Sequence, residues 1–372
     1  PTQSQPKRTN LEKYSFVTIS LINKNPMLID SFLKETVKQK ASDFHLIADM
    51  PPYIRVNGDL RPLNKKPIDA KEIEALIKEC LTDNLFKKFV IERELDFAHE
   101  TPDGSRFRIN IHWEKGNVGL AARTIPSQVP SMKEIGMSEV VYDLCNLDRG
   151  LILVTGPTGC GKSTSLAAMI DFINKTKSVN IITLEDPIEF VFKPIKSIIR
   201  QRQLGTDILS FQNGLVHVLR QDPNVIMVGE MRNLETIATT ITLAETGHLV
   251  FATLHTYSAA QTIDRIIDIF PPYQQNQVRM QISLTLKGII SQKLLHSTDG
   301  KRVAAREILI NTPAIANLIR ENKIAQIKST MQTSAKEKMI TMDVAIKRLY
   351  EEGVIAREIM EANISPFDKI AY

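Results

Sequence analysis

The alternation of apolar and polar residues changes character about a third of the way along the chain. Between residues 106 and 113, apolar and polar positions alternate strictly, which is typical of a strand with one buried face and one polar face. The polar face carries Arg106, Arg108, Asn110 and His112. Residues 118–123 follow a short polar turn and are predicted to form the partner strand.

The segment before this hairpin mixes helices and short strands. Apolar residues recur at helical spacing over residues 28–37 and 69–81, and Asp69 is a plausible N-cap for the second helix. Residues 53–56 are predicted to form a strand that ends in the hairpin turn Asn57-Gly58. The pattern therefore predicts a small α+β domain over residues 27–124 with an antiparallel sheet.

Beyond Pro126 and Pro130 the strands become short, continuous apolar runs. Such runs fit a parallel sheet that helices cover on both faces, so the second part is predicted to be an α/β domain. The predicted strands are residues 151–154, 181–184, 225–228 and 249–252. Residues from about 300 onward are predicted to be helical.

These patterns divide the chain into four segments. Residues 1–26 are predicted to be a flexible leader, because their one apolar stretch is short and contains hydroxyl side chains. The predicted segments are the leader 1–26, the domain 27–124, the linker 125–131 and the domain 132–372.

Composition excludes several classes of protein. With 43% hydrophobic and 24% charged residues among 372, the chain is neither disordered nor fibrous. Its three scattered cysteines form no disulfide framework and no Cys-x-x-Cys zinc motif, which indicates a reducing compartment. No apolar run is long enough to span a membrane. The net charge of +5 is too small to indicate nucleic-acid binding by itself.

Residues 156–163 carry the strongest chemical signal. They fit the Walker A pattern of a phosphate-binding loop, between an apolar strand and an amphipathic helix. Glycines let backbone N–H groups surround the phosphates, while Lys162 supplies a positive charge and Ser163 a ligand for Mg²⁺. The predicted ATP-binding residues are Gly156, Pro157, Thr158, Gly159, Cys160, Gly161, Lys162, Ser163 and Thr164.

Three further strands end in polar residues, and the carboxyl ends of parallel strands share one edge of a sheet. Glu185 is the favoured general base for activating water, with Glu189 second. Glu230 follows the run 225–228 like the acid of a Walker B element and is a second candidate Mg²⁺ ligand; its alternative role is a helix cap. His255 is a candidate sensor of the γ-phosphate.

Arginines of the first domain form another candidate group. Arg106 and Arg108 share a strand face, and Arg123 lies on the paired strand. They either form a solvated surface or act in trans on the phosphates of a neighbouring subunit.

Together the motifs resemble one family, the secretion-type ring ATPases, and within it the PilT-like motors of type IV pilus retraction. The resemblance covers about residues 27–362. Besides the Walker A and acidic segments, it rests on residues 41–46, 51–52, 105–110, 219–223, 229–232 and 247–265.

The resemblance implies a PAS-like first domain and a RecA-like second domain in a homohexameric ring that uses ATP and Mg²⁺. Glu185 then matches the catalytic glutamate, Glu230 the Walker B acid and His255 the His-box histidine. The implied partner is the platform protein of the inner membrane, at whose cytoplasmic face the ring would lie. Neither nucleic-acid binding nor membrane insertion is expected.

Several alternatives stay open at this stage. The four-cysteine module of assembly and secretion ATPases cannot be built here, which favours retraction. Ala316, Tyr257 and Val216 depart from the retraction pattern, however, which leaves room for an accessory subunit that modulates a second pilus ATPase. An assembly or secretion ATPase, a P-loop kinase and a nucleic-acid translocase are the remaining alternatives.

Overall fold

A computed structural model describes residues 28–56, 58–125, 128–334 and 337–364. The predicted leader lies outside these residues, as does Pro126 of the predicted linker. The chain divides into two compact units, with the boundary between Thr124 and Ile125. Within the described ranges, no helix combines the length and the apolar character needed to cross a membrane.

The first unit is built on an antiparallel sheet with strand order β3-β2-β1-β6-β5-β4. Helix α2 begins at a capping box, in which Asp69 and Glu72 each accept a hydrogen bond from the other's backbone N–H. The elements are α1 Leu28–Lys38, β1 Asp43–Leu46, β2 Tyr53–Val56, β3 Asp59–Pro62, α2 Ala70–Cys80, α3 Asp83–Glu92, β4 Glu94–Glu100, β5 Arg106–Glu114 and β6 Asn117–Ile125.

The predicted alternation in β5 is confirmed. Phe107, Ile109 and Ile111 are fully buried in the core of this unit, whereas Arg106 is half-buried and Arg108 is exposed. One face of the sheet therefore packs against the helices and the other remains polar.

The second unit contains a sheet with strand order β13-β12-β7-β11-β10-β8-β9. All its neighbouring pairs are parallel except β12 with β13. Its elements are α4 Glu139–Cys145, β7 Gly150–Thr155, α5 Lys162–Thr176, β8 Asn180–Glu185, β9 Ile198–Gln203, α6 Phe211–Val218, β10 Val225–Val228, α7 Leu234–Glu245, β11 Leu249–Leu254, α8 Ala259–Asp268, α9 Pro272–Thr285, β12 Leu286–His296, β13 Arg302–Ile310, α10 Pro313–Arg320, α11 Ile327–Thr333, α12 Met342–Glu351 and α13 Arg357–Asn363.

Continuous apolar runs in this sheet serve two hydrophobic cores at once. Leu151 and Leu153 of β7 belong to the core on one face, whereas Ile152 and Val154 belong to the core on the other. Because side chains alternate across a strand, both faces need apolar residues. The four predicted strands and the α/β class of this unit are confirmed.

One secondary-structure prediction is wrong. Residues 302–310, expected to be helical, form strand β13 at the edge of the sheet, paired along its full length with β12. Helices resume only at α10. The pairing with β12 supplies the backbone hydrogen bonds that decide between the two structures.

Candidate functional site: a phosphate-binding loop at the strand ends

The loop between β7 and α5 owes its shape to glycine. Gly156, Gly159 and Gly161 adopt φ angles of 142°, 77° and 87°, which side-chain-bearing residues rarely adopt. A Cβ atom on Gly156 would also lie 2.3 Å from the carbonyl oxygen of Gln292. The loop therefore needs glycine at these positions, as the Walker A pattern predicts.

Lys162, the first residue of α5, folds back over this loop. Its Nζ donates hydrogen bonds to the carbonyls of Gly156 (2.8 Å) and Pro157 (3.1 Å). Burial lowers the pKa of the Lys162 ammonium, and the charges of Glu230 and Glu189 act in the opposite direction. The positive charge is therefore held at the loop with carboxylates in electrostatic range.

His255 joins the loop to Glu230. Its Nε2 lies 3.2 Å from Glu230 Oε1, and its Nδ1 lies 3.5 Å from Lys162 Nζ and 3.4 Å from Thr158 Oγ1. Because an ammonium group can only donate, Nδ1 must accept from Lys162 and Nε2 carries the proton toward Glu230. The structure thus links three predicted site residues by side-chain contacts in the order Lys162–His255–Glu230.

The second carboxylate oxygen of Glu230 is engaged by Arg232, whose Nε donates to it over 2.8 Å. This hydrogen bond raises the pKa of Arg232, which also lies 3.4 Å from Asp186. The alternative role of Glu230 as a helix cap is not realised, because Asn233 caps α7 by accepting from the N–H of Thr236.

Gly229 separates the acid, Glu230, from the end of β10 at Val228. Its N–H donates to the carbonyl of Leu184 over 2.8 Å, so β10 and β8 approach closely here. A Cβ on Gly229 would lie 3.1 Å from that carbonyl oxygen and 3.4 Å from Glu185 Cα. A side chain at this position would press on the neighbouring backbone, and the carboxylate therefore follows one position later.

Glu185 and Glu189 occupy different environments. Glu185 is 6% exposed, and its Oε1 accepts from Thr183 Oγ1 (2.6 Å) and Gln201 Nε2 (3.0 Å). Burial raises the pKa of this carboxyl, while hydrogen bonds from Thr183, Gln201 and the Glu189 backbone oppose the rise. Glu189 is exposed to solvent. The buried carboxylate is thus rigidly held, and the exposed one is free to meet ligands.

The residues predicted to hold Mg²⁺ offer suitable donors. Ser163 supplies a hydroxyl oxygen in the first turn of α5, and Glu230 supplies a carboxylate just beyond the end of β10. Mg²⁺ prefers oxygen ligands and keeps several waters, so one or two protein oxygens beside bound phosphates suffice. The chemistry of this donor set fits the ion.

The three candidate arginines belong to the first unit, and each has a carboxylate on the same sheet. Arg123 donates to Asp43 at 3.0 Å, while Arg106 and Arg108 lie 3.6 Å and 3.8 Å from Glu100 and Asp96, respectively. Arg106 is the most buried of the three, and its Nε and one Nη are buried without a hydrogen-bond partner.

The positions that depart from the retraction pattern lie on separate elements. Val216 on α6 and Tyr257 before α8 are exposed, whereas Ala316 on α10 is buried. None of the contacts described for the loop involves these three side chains.

Two site residues escaped the sequence reasoning. Gln201 of β9 holds Glu185, and Gln292 of β12 donates from Nε2 to the carbonyl of Cys160 over 2.7 Å. Glutamine carries no motif, and neither strand was predicted. Only the three-dimensional pairing of the strands reveals them.

Comparison with known proteins gives a consistent set of relatives. A family model described as type II/IV secretion system protein matches residues 23–364. The type IV pilus retraction ATPase PilT of Pseudomonas aeruginosa is 50% identical over 332 residues, which cover 89% of this chain and 96% of that protein. A twitching motility protein of Neisseria gonorrhoeae is 47% identical over 88% of each chain.

The fold comparison agrees with the sequence comparison. A crystal structure of the pilus retraction motor PilT with bound ADP superposes with a TM-score of 0.87 at 45% identity. The match covers 92% of this chain and 99% of that one.

Proposed function

This chain belongs to the family of type II/IV secretion system proteins, and we propose that it hydrolyses ATP as the motor that retracts type IV pili. The resemblance inferred from its motifs is confirmed, as are the RecA-like α/β fold and the assignment as an ATPase. The site observation that carries the proposal is the chain Lys162–His255–Glu230 beside a phosphate-binding loop.

In this proposal the loop binds the phosphates of ATP through its backbone N–H groups and Lys162. Ser163 and Glu230 hold Mg²⁺, which neutralises charge on the phosphates. His255 lies where a hydrogen bond can report the γ-phosphate to Glu230 and Arg232. Each of these side chains thus orients or polarises rather than forming covalent bonds.

The water-activating base is proposed to be Glu185. Its raised pKa strengthens it as a base, because basicity and pKa rise together. Glu189 is the second candidate, supported by its exposure and by its charge interaction with Lys162.

Assembly and location are proposed from the family resemblance. The chain would form a homohexameric ring at the cytoplasmic face of the inner membrane and act on a platform protein there. The accessory-subunit alternative differs in one respect: such a subunit would support a second pilus ATPase without needing its own hydrolysis.

A complementation experiment tests the motor against the accessory subunit. Cells deleted for this protein are expected to be piliated but unable to retract, and the Lys162→Ala variant is expected not to restore retraction. Lys162 supplies the point charge to the phosphates, so the purified variant should lose ATP turnover. Pilus retraction in cells and phosphate release in vitro are the measurements.

Lys175→Ala is the matched control, because Lys175 is an exposed lysine of the same helix, paired with Asp171. It should restore retraction and retain turnover. Full retraction by Lys162→Ala cells would assign the accessory role instead.

A further inference from the structure

Gln292 contacts the phosphate-binding loop from beneath at several points. This residue of β12 is only 2% exposed. Its Nε2 donates to the carbonyl of Cys160 over 2.7 Å, and its Oε1 accepts from Ser165 Oγ over 2.8 Å. Its backbone carbonyl lies against Gly156, where a Cβ would come within 2.3 Å. One residue therefore contacts the start of the loop at Gly156, its later part at Cys160 and the first turn of α5 at Ser165.

The orientation of this side-chain amide is determined by its neighbours. A backbone carbonyl can only accept, so the nitrogen of Gln292 must face Cys160 and the oxygen must face Ser165. The Ser165 hydroxyl then donates to that oxygen. Both ends of the amide are satisfied in a buried position, which makes the arrangement rigid.

Fixing the Cys160 carbonyl also fixes the next backbone N–H. The peptide unit between Cys160 and Gly161 is planar, and in a trans peptide the C=O and N–H bonds point in opposite directions. Because Gln292 holds the Cys160 carbonyl oxygen toward β12, the N–H of Gly161 points away from β12. Within the described ranges this N–H has no backbone acceptor.

Gly161 occupies the position where such an N–H is useful. It is the N-cap of α5 and has a φ of 87°, and successive N–H groups at such a turn bind phosphate oxygens. The amide nitrogen of Gln292 lies 3.4 Å from the position that a Cβ on Gly161 would occupy, so the two residues are neighbours.

We propose that Gln292 is a positioning residue for phosphate binding: it aims the Gly161 N–H at the nucleotide by holding the Cys160 carbonyl. This inference rests on the proposed binding of nucleotide by the loop. A glutamine suits the position because one side chain supplies both a donor for the carbonyl and an acceptor for Ser165. Methionine supplies no donor for the carbonyl, and an ionised glutamate supplies only the acceptor for Ser165.

The test measures ADP affinity of the full chain by calorimetry in four forms: wild type, Gln292→Met, Gln292→Glu and Ser291→Ala. Ser291 is the matched control, since it is the adjacent, fully buried residue of β12 and its hydroxyl bonds to Thr155 at 2.8 Å. Ser291→Ala removes a buried hydrogen bond to Thr155, at the end of the strand before the loop. It leaves the hydrogen bond from Gln292 to the Cys160 carbonyl in place.

Gln292→Met is expected to weaken ADP binding about tenfold, because the Cys160–Gly161 peptide is no longer held in the orientation that binds phosphate and must be oriented on binding, at the cost of about one hydrogen bond. Steady-state KM for ATP should rise with kcat changed less, because the loop binds phosphate in both the ground state and the transition state. Ser291→Ala should bind ADP like the wild type. Without nucleotide, the midpoint temperature of thermal unfolding should fall by similar amounts in Gln292→Met and Ser291→Ala.

Gln292→Glu provides a signature that a structural role lacks. The introduced carboxyl can donate to the Cys160 carbonyl only while protonated, and burial favours its protonated form. Its ADP dissociation constant relative to wild type should therefore increase as the pH rises through the titration of this carboxyl. This variant keeps the acceptor for Ser165, so it also serves if Gln292→Met fails to fold.

Three results separate the hypotheses. ADP binding at wild-type strength by folded Gln292→Met, or by Gln292→Glu at every pH, overturns the positioning role, as does an equal loss in Ser291→Ala. Failure of the wild-type chain to bind ADP overturns the proposed function itself. Weakened binding confined to the Gln292 variants supports both.

Discussion

The two sheets of this protein distribute their polar residues differently. In the second unit, parallel strands place polar residues of three loops together at one edge, so that Lys162, His255 and Glu230 join in one chain of contacts. In the first unit, antiparallel strands spread arginines along a face, where each meets a carboxylate on its own sheet.

The difference follows from strand direction. Parallel strands all end on the same side, and a crossover returns the chain each time, so residues far apart in sequence converge there. Antiparallel strands reverse at each turn, and their polar residues meet only cross-strand neighbours. The parallel sheet thus gathers its site residues at one edge, whereas the arginines of the antiparallel sheet pair with carboxylates of that sheet.

The strongest test of this comparison concerns those arginines. If Arg106, Arg108 or Arg123 acts on a neighbouring subunit's phosphates, replacing all three with alanine should reduce ATP turnover by about 10³–10⁵, the range measured for arginines that act in trans. Specific activity of the wild-type chain should also rise steeply with protein concentration, because the ring must form first.

Mixed rings supply the control. A subunit without the arginines should regain hydrolysis beside a Lys162→Ala subunit, since each then supplies what the other lacks. Flat specific activity on dilution and no recovery in the mixture would return the arginines to an ordinary solvated face, where exposed ion pairs contribute little.

The next largest expected effect on ATP turnover comes from replacing the proposed general base, Glu185. Glu185→Gln is expected to keep ATP binding and to lower kcat by about 10²–10⁴, the usual cost of losing a general base. Rates measured with Glu189→Gln give the matched comparison. Wild-type turnover in Glu185→Gln together with slow turnover in Glu189→Gln would transfer the role to Glu189.

The pH profile gives a second measurement of the same role. Burial raises the pKa of Glu185 above its ordinary 4.5, and a base must be deprotonated to act. The wild-type kcat should therefore fall as the pH drops through that raised pKa, and the fall should begin at a higher pH than for an ordinary glutamate. Glu185→Gln should lack this acidic limb.

The smallest expected effect lies in the first unit and tests its independence from the chemistry. Asp69→Ala removes the capping box of α2 and should lower the free energy of unfolding of that unit by about 1 kcal/mol. Glu74→Ala, an exposed position on the same helix, should change it little. Denaturant titration and ADP calorimetry are the measurements, and an altered ADP affinity would contradict this independence.

Sequence patterns predicted the parts of the fold where local signals agree. The strands β7, β8, β10 and β11 are apolar because both their faces are buried, and α2 begins at its predicted cap. The prediction failed over residues 302–310 because charged residues such as Arg306 and Glu307 are usually exposed, so the sequence did not show that this segment is a buried strand. Glu307 is in fact buried, and its carboxylate accepts from the N–H groups of Ala259 and Met342 at 2.7 Å and 3.2 Å.

The site was predictable to the same degree. Walker A residues and the acids at strand ends have fixed spacing and context, and the structure brings Lys162, His255 and Glu230 together beside the loop. Gln292 stands 132 positions from Cys160 and belongs to a strand that only tertiary pairing defines. No local pattern carries such information, since its contacts form only when β12 pairs with β7.

The contacts of Lys162 imply an exchange of partners. An ammonium group has three hydrogens, and here they face three acceptors: the carbonyls of Gly156 and Pro157 and the Nδ1 of His255. A phosphate oxygen that binds this ammonium must displace one of them, and the longest contact, to His255, is the weakest competitor. Released from Lys162, the imidazole keeps its contacts to Glu230 and to the Thr158 hydroxyl. Binding of phosphate to the loop thereby changes the partners of His255, which directly follows β11, the strand adjacent to β7.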